Sequence, residues 1–443
     1  MEIEEKYSHS SWVVEMERIL ERKNPWMPEM KQWMRPSIYR VPEWLNSMTK
    51  REAYQPQVVS LGPFHHGERN LKPMEEHKHR LMLHMVKRSG KPLAQFIAAI
   101  KKVAERLQEA YDGLDEKWCG ENTDRFVDVM VTDGAFLLEM MTCTSTGQVP
   151  SDYAPYDPIF SDHSILSLWA YIQSDMILVE NQVPLLALQT LEAVRNNGTS
   201  PGNTYINKIV GNFVCPKLSK GNLPTEIIDV LGLHPLDVFH KCFCALSHTW
   251  SPDLKRSGQR ETLMLSAAEL REAGVHFKKS KTQSFRDIEF NKGVLSMPLV
   301  EIGDTSERMF LNLMAFERLH CSAGNDVTAY IIFMDNIIDS ERDVALLKSK
   351  GVLKNFLSSD KAAAELFNSL GNGITLDPNS KICHVQWKVD MHCKKPWPKL
   401  QASFKHTYMR NPWVFISGVA AVILLSLTIL QTIYTIMPFY KKN

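Results

Sequence analysis

Residues 413–440 contain no charged side chain, and residues 419–425 are apolar without a break. No other feature narrows what this 443-residue chain can become so sharply. A run of that length is either a wholly buried core helix or a span through lipid. Over 413–436, a helix of roughly 24 residues rises about 36 Å at 1.5 Å per residue, enough to cross a hydrocarbon core with some tilt. Pro412 suits a first helical position, where the missing N–H removes no intrahelical bond. Trp413 at one end, with Tyr434 and Tyr440 towards the other, fits interfacial aromatic belts. Core helices rarely run so long without a charge, so the sequence predicts a single C-terminal transmembrane helix within 409–437 and a short tail at 438–443.

Flanking charge sets the expected orientation. Lys394, Lys395, Lys399, Lys405 and Arg410 precede the span, and only Lys441 and Lys442 follow it. Positive residues stay on the cytoplasmic side, so the large portion before the helix is expected to face the cytosol, at the plasma membrane or the endoplasmic reticulum. A span this near the end implies insertion after translation. The acidic start, Met1-Glu-Ile-Glu-Glu-Lys6, has neither the basic region nor the apolar core of a signal peptide. One sequon, Asn197-Gly-Thr199, is expected by chance in a chain of this length. Gln431, Thr432 and Thr435 are polar positions in the run that either bond a partner helix or satisfy local backbone.

The remainder has the texture of a folded protein: 44% hydrophobic and 23% charged. Its 51 basic and 50 acidic residues leave a net charge of +1, which gives no basis for nucleic acid as a partner. The eight cysteines are scattered with no C-x-x-C pair, and they read as reduced, mostly buried thiols.

Helical signals dominate. A helix starting at Pro73 carries the i,i+4 pairs Glu75/His79 and Glu76/Arg80 and an apolar stripe of Met74, Leu81 and Met85, and Lys87, Arg88 and Gly90 stop it. The stretch 92–111 repeats the pattern, and 126–141 is apolar nearly all round, as a core helix would be. Residues 162–183 and 184–194 read as two helices meeting at Pro184. Loops are expected at 142–162, 196–203 and 247–260.

Near Thr262 the texture changes. Ser266-Ala-Ala-Glu269 is a capping box for a short helix that Gly274 ends. Residues 285–290 and 294–302, joined by Asn291-Lys-Gly293, read as a β-hairpin. Asp304-Thr-Ser-Glu307 is a second capping box opening a helix to about His320. Residues 327–338 are apolar and helical or strand-like; helices follow from Ser340-Glu-Arg-Asp343 to about Gly351 and over 359–370. The expected fold class is mainly α with a small β-hairpin element (α+β). The expected organisation is a variable segment at 1–35 and a mainly helical domain at 36–408, then the membrane helix and tail.

Ile38-Tyr-Arg-Val-Pro42, followed by Tyr54-Gln-Pro-Gln-Val-Val-Ser-Leu-Gly-Pro-Phe-His-His-Gly67, resembles the opening of a plant-specific membrane-protein family, that of domain of unknown function 247. Later blocks match it too: Met74-Glu-Glu-His-Lys78, Asp133-Gly-Ala-Phe136, the stretch 175–184 with Glu180-Asn-Gln-Val-Pro184, Glu269-Leu-Arg-Glu-Ala-Gly-Val-His-Phe277, Asp304-Thr-Ser-Glu307, Phe333-Met-Asp335 and Asn411-Pro-Trp413. The likeness covers roughly 36–440. It departs around 393–398, where the family's approach to the membrane helix is more aromatic and less prolyl. The resemblance implies a fold and an anchor but no established chemistry. Some grass relatives look like pollen determinants of self-incompatibility, which points to recognition or signalling.

Four constellations are candidates for chemistry. His65, His66, His77, His79 and His84 cluster, and His77 and His84 share a helix face that, with His65 or His66, is one candidate metal site. The plainer reading makes His65-His66-Gly67 a turn whose imidazoles bond backbone groups. Asp133, Glu139 and Glu180 lie in apolar segments, where raised carboxyl pKa values arise. Asp133 and Glu139, six apart, leave a straight helix on different faces. The expectation is that Asp133 pairs with a buried Arg or Lys, while Glu180 and Asn181 satisfy backbone ends near Pro184. His240, Cys242, Cys244 and His248 form a zinc half-site only loosely, because their spacing matches no common finger and a core strand or helix fits 238–246 better. Gly371-Asn-Gly373 reads as a helix stop; P-loop, G-x-G-x-x-G, G-x-S-x-G and H-E-x-x-H motifs are absent. The sequence therefore assigns no catalytic, cofactor-binding or metal residue. It favours a membrane-tethered, non-enzymatic recognition, signalling or scaffold protein, whose partners are the lipid bilayer and an unidentified protein. The alternative is a membrane-bound hydrolase or nuclease using the carboxylates or histidines.

Overall fold

Buried backbone must find hydrogen-bond partners, and in this chain helices supply most of them. The computed structural model describes residues 11–20, 36–216, 229–244, 264–371, 380–394 and 412–440. It divides into two units: unit 1, residues 1–247 and 304–328, and unit 2, residues 248–303 and 329–443. The fold is mainly helical with a few short strands.

Unit 1 begins with α1 (Ser11–Leu20) and α2 (Glu43–Met48). Pro73 opens α3 (Lys72–Ser89), which ends as predicted at left-handed Gly90. α4 (Leu93–Gln108) follows. The central element is α5 (Thr123–Thr146), whose side chains are buried nearly all round: Phe126, Met130, Phe136 and Leu137 have no exposed surface. α3 and α4 pack against it, as do α8 (Leu185–Arg195) and α9 (Asn203–Val214). Close approach to α8 needs Gly134, where a Cβ would stand 2.6 Å from Leu191 Cδ1. Between α5 and α8 the single predicted helix over 162–183 is instead two short ones, α6 (Asp162–Ser167) and α7 (Trp169–Met176), and then a turn. The turn forms because side chains take over the helix end: Asn181 Nδ2 donates to Asp175 O, and Gln182 Nε2 donates to Met176 O and Leu178 O. α10 (Pro235–Cys244) follows in unit 1.

Unit 2 opens with α11 (Ala267–Glu272), held by the predicted Ser266/Glu269 capping box. Strand β1 (His276–Lys279), which the sequence pattern does not predict, comes next. The predicted hairpin exists but is shorter, with β2 (Glu289–Asn291) antiparallel to β3 (Val294–Met297). Lys292 and Gly293, both at positive φ (48° and 83°), make its turn. The second predicted strand does not run on to 302. Beyond β3 the chain leaves that sheet, and β4 (Val300–Ile302) pairs in parallel with β5 (Leu353–Asn355), so the two sheets run β1-β3-β2 and β4-β5.

α12 (Ser306–Leu319) returns to unit 1, but its second predicted capping box does not form: Thr305 is the N-cap and makes no side-chain cap bond. The stretch left open between helix and strand is helical, α13 (Asp326–Ile337). In unit 2, α14 (Glu341–Ser349) carries a capping box between Ser340 and Asp343, and Asp343 Oδ1 also accepts Ala268 N–H at the start of α11. α15 (Asp360–Leu370) and α16 (Lys381–Cys393) follow.

The apolar C-terminal run is α17 (Pro412–Tyr440), 29 residues long. Its side chains are described without a break over 419–435, and all of them are exposed. Among the described residues no helix is long and apolar enough to cross a membrane. Trp413 and Tyr440 fall outside the side chains described, and Lys399, Lys405 and Arg410 outside the described residues. None of the eight cysteines is in a disulfide, and five are buried.

One glycine in unit 1 is fixed by both conformation and space. Gly62 has φ +74°, and a Cβ there would stand 2.4 Å from Gln182 O and 2.7 Å from Tyr111 Oη. Gly67 has φ +90° with nothing within 4 Å. Gly67→Ala is expected to cost only the left-handed conformation, about 1–2 kcal/mol, and Gly62→Ala at least about 3 kcal/mol because backbone must also move. Urea unfolding of the detergent-solubilised full chain checks this, and equal losses would show that the close approach at Gly62 is not a constraint.

Candidate functional site

The block 54–67 is held by a buried polar network in unit 1. Within it, residues 57–62 form neither helix nor strand, yet Val59, Ser60, Leu61 and Gly62 are buried. Their amides have no strand partner, so side chains from elsewhere must accept them. Asp175, at the end of α7, does most of this. Its Oδ1 accepts from Gln57 N–H (3.0 Å) and from Arg308 Nη2 of α12 (2.9 Å), and its Oδ2 accepts from Val58 N–H (2.7 Å) and Val59 N–H (2.9 Å). Asn181 Oδ1 accepts Leu61 N–H at 2.7 Å, while its Nδ2 donates to Val59 O at 3.0 Å. Asp133 Oδ2, on α5, accepts Gly62 N–H at 2.8 Å. Three side chains thus serve five amides of one short segment.

Asp133 meets its expected cation. Lys78 of α3 has no exposed surface and donates from Nζ to Asp133 Oδ1 at 2.5 Å and to Ser60 O at 2.9 Å; Glu75 Oε1 lies 2.7 Å away. Burial raises the Asp133 carboxyl above its ordinary value, against the pull of Lys78 and the Gly62 amide. At Glu75 burial acts the same way, but the Lys78 charge and hydrogen bonds from Lys78 and Ser60 outweigh it and hold the group below its ordinary value. The lysine is fully engaged and touches no open space, so it serves as a structural cation.

Glu180 Oε1 accepts the Val41 amide at 2.5 Å, and its Oε2 lies 3.3 Å from His65 Nε2. His65 Nδ1 is 2.7 Å from Glu68. The expected turn forms around His65, His66 and Gly67, but His65 faces carboxylates and not backbone. Burial lowers its pKa, and the two glutamates more than reverse this, leaving it raised. His66 packs edge-on against Trp118 and is lowered, by burial first.

The other histidines of the first cluster do not converge. His79 bonds Glu75 O, and His84 bonds Asp152 and stacks on Tyr153. Glu139 is separate from Asp133, as its helix position requires: it accepts from Arg88 at 2.6 Å and Tyr153 at 2.8 Å. Burial raises its carboxyl, with Arg88 opposing. Glu139 and Arg88 border a cleft of about 620 Å³ in unit 1 with Cys143, whose thiol burial pushes up to about 12. A second cleft, about 700 Å³, lies in unit 2 between the β2–β3 hairpin and α16. Neither cleft is lined by Asp133, Asp175 or Glu180.

A third cluster joins sequence positions far apart. His240 and Cys244 stand one turn apart on α10, with Cys244 Sγ 3.5 Å from His240 Nε2. Glu317, on α12, places Oε1 2.8 Å from the same nitrogen. Cys242 faces elsewhere, towards Cys215, and His248 lies outside the described residues. Of the loose half-site, the described residues keep His240 and Cys244 together without Cys242 and add a carboxylate 77 positions away from His240. No spacing rule would have found Glu317. Arg308 and Asn312 were also overlooked, although a charged and an amide side chain i,i+4 on an otherwise apolar helix face was a usable signal. Asn312 Oδ1 accepts Val179 N–H at 3.0 Å, and its Nδ2 donates to Ala53 O at 2.8 Å.

Removing Lys78 leaves Asp133 buried without its cation. Lys78→Met is expected to cost about 3–5 kcal/mol. The double variant Lys78→Met/Asp133→Leu leaves the Gly62 amide, the Ser60 carbonyl and Glu75 without these partners but removes the buried, uncompensated carboxylate, and so is more stable than the single. Urea unfolding of the full chain reads this out, and additive losses would show that the two groups do not act as a pair.

The arrangement resembles that of no solved structure at a significant level. Two Arabidopsis thaliana proteins are similar along nearly the whole chain. The UPF0481 protein At3g47200 is 29% identical over 433 residues, covering 92% of this chain and 87% of its own length. The putative UPF0481 protein At3g02645 is 21% identical over 520 residues, covering 96% and 94%. The family DUF247, described as plant protein of unknown function, matches residues 38–427, a range that contains the 57–62 segment and every side chain that holds it. The chain belongs to that family.

Proposed function

We propose that this protein is a non-enzymatic recognition or scaffold module held at a membrane by α17. The observation that carries the non-enzymatic part is the use to which the signature carboxylates are put. Asp133 and Asp175 bond buried amides, Lys78 and Arg308, and neither lines the 620 Å³ or the 700 Å³ cleft. A general acid or base needs an oxygen within hydrogen-bond reach of substrate. The hydrolase or nuclease alternative loses Asp133 to that network, and Glu139, which borders the 620 Å³ cleft, is held by Arg88 and Tyr153.

Support for the tether comes from the solvent side of α17. Val422, Leu424 and Leu425 are each more than 60% exposed, and the neighbouring Ile423 and Leu427 more than half. The helical backbone of 29 residues rises about 43 Å at 1.5 Å each, of which the stretch with described side chains, 419–435, makes up about 26 Å against the ~30 Å of a hydrocarbon core. Ser426, Thr428, Thr432 and Thr435 each donate to the carbonyl four residues earlier, so their hydroxyls are satisfied inside the helix and do not oppose burial in lipid. This favours the local-backbone reading of Thr432 and Thr435 over a partner helix.

Two measurements test the proposal. Alkaline carbonate treatment of microsomes should leave the full chain in the membrane and release a chain truncated before 412, and protease added to sealed vesicles should digest the bulk of the protein. Extraction of the full chain would remove the tether, and protection of the bulk would reverse its orientation. Turnover of a phosphodiester or ester substrate that Glu180→Gln abolishes would overturn the non-enzymatic reading.

A further inference from the structure

We propose that His240, Cys244 and Glu317 form a site for one divalent transition-metal ion of the zinc class. It stands independently of the membrane tether. The three ligand atoms, an imidazole nitrogen, a thiol sulfur and a carboxylate oxygen, all lie within 4.8 Å of one another, and all three residues are buried. Among the described residues no other group of three such side chains meets these conditions.

The geometry is close to what a tetrahedral ion requires. With bonds of about 2.0–2.3 Å, neighbouring ligand atoms of a zinc tetrahedron stand about 3.3–3.8 Å apart. Cys244 Sγ and His240 Nε2, at 3.5 Å, already match that edge. His240 Nε2 and Glu317 Oε1, at 2.8 Å, are hydrogen-bond partners and must part by about half an ångström. Helix geometry sets the first pair, because residues four apart share a face. The second is set by anchoring of the carboxylate: Glu317 Oε2 accepts Thr328 N–H at 2.8 Å and Thr328 Oγ1–H at 2.6 Å, and Oε1 accepts Val327 N–H at 2.8 Å. These bonds hold the carboxylate in place while Oε1 keeps a lone pair for the ion. Fixed outer partners of this kind orient metal ligands. The Phe316 ring packs edge-on against the His240 imidazole at 5.7 Å and closes one side of the site.

Charge and softness narrow the occupant. A thiolate and a carboxylate cancel a dipositive ion, so the buried complex is neutral, which a buried charge demands. Sulfur and imidazole select zinc-class ions over magnesium or calcium, which take oxygen ligands. Binding forms bonds from the ion to Nε2, Sγ and Oε1, and a water completes the fourth position. The thiol proton of Cys244 leaves to solvent. A proton on His240 Nε2 leaves to solvent or passes to Nδ1 as that nitrogen bonds the ion, so at least one proton is released per ion.

The test uses the full chain in detergent, stripped with chelator and titrated with Zn(II) and separately with Co(II). About one Zn(II) per chain should be retained through dialysis, with release of protons, and Co(II) should give a thiolate-to-cobalt charge-transfer band in the near ultraviolet. Cys244→Ala should lose the band and Cys242→Ala should keep it, with both melting like the wild type in chelator. Wild-type protein that takes up no stoichiometric Zn(II) and shows no such band overturns the proposal, whatever the variants do. A band that survives in Cys244→Ala overturns it as well.

Discussion

The backbone of residues 57–62 enters the interior of unit 1 with no neighbouring strand or helical turn to meet its amides, and the rest of the unit is arranged around that debt. An unmet buried N–H costs about 1–3 kcal/mol, and Val59, Leu61 and Gly62 are buried, so leaving their three amides unmet would cost about 3–9 kcal/mol, comparable with the stability of a typical domain. Asp175, Asn181 and Asp133 accept them. Each acceptor creates a further need: Asp175 requires Arg308, Asp133 requires Lys78, and Lys78 requires Ser60 and Glu75. Helices remote in sequence are thereby tied to one strip of chain. The close stacking of Gly62 on Gln182 belongs to the same knot, since Gln182 Oε1 accepts the Leu236 amide at the start of α10.

This arrangement explains why blocks that look like functional motifs in the sequence have a structural use. A histidine pair, a glycine at positive φ and carboxylates in apolar surroundings are also the signs of an active site. What separates the two readings is where the lone pairs point. Here they point at backbone and at buried cations. The His240–Cys244–Glu317 group differs, because three ligand types converge there on one point.

Much of the helical frame was legible beforehand, because helices announce themselves locally. Gly90, the Ser266 and Ser340 caps and the apolar stretch around Phe126 all mark real elements. Pairing of Asp133 with a buried lysine followed from the cost of leaving such a carboxylate alone. The failures lie where distant side chains override local pattern. Residues 177–183 look helical, but Asn181 and Gln182 cap the preceding helix and turn the chain. Asp304-Thr-Ser-Glu307 spells a capping box, but Glu307 instead lies 2.8 Å from Lys50 Nζ. The strands at 276–279 and 353–355 are too short to show a period, and their partners are set by topology. Glu317 was invisible as a partner of His240 for the same reason.

The account rests on the claim that residues 57–62 are a structural strap, closed by side-chain acceptors. Hydrogen–deuterium exchange on the full chain tests this directly by comparing peptides across 57–62 with peptides from α5 and from the exposed loop at 196–203. The strap amides should exchange as slowly as those of α5, and Asp175→Ala should speed Gln57, Val58 and Val59 before α5 responds. Exchange across 57–62 as fast as in the loop would contradict the account.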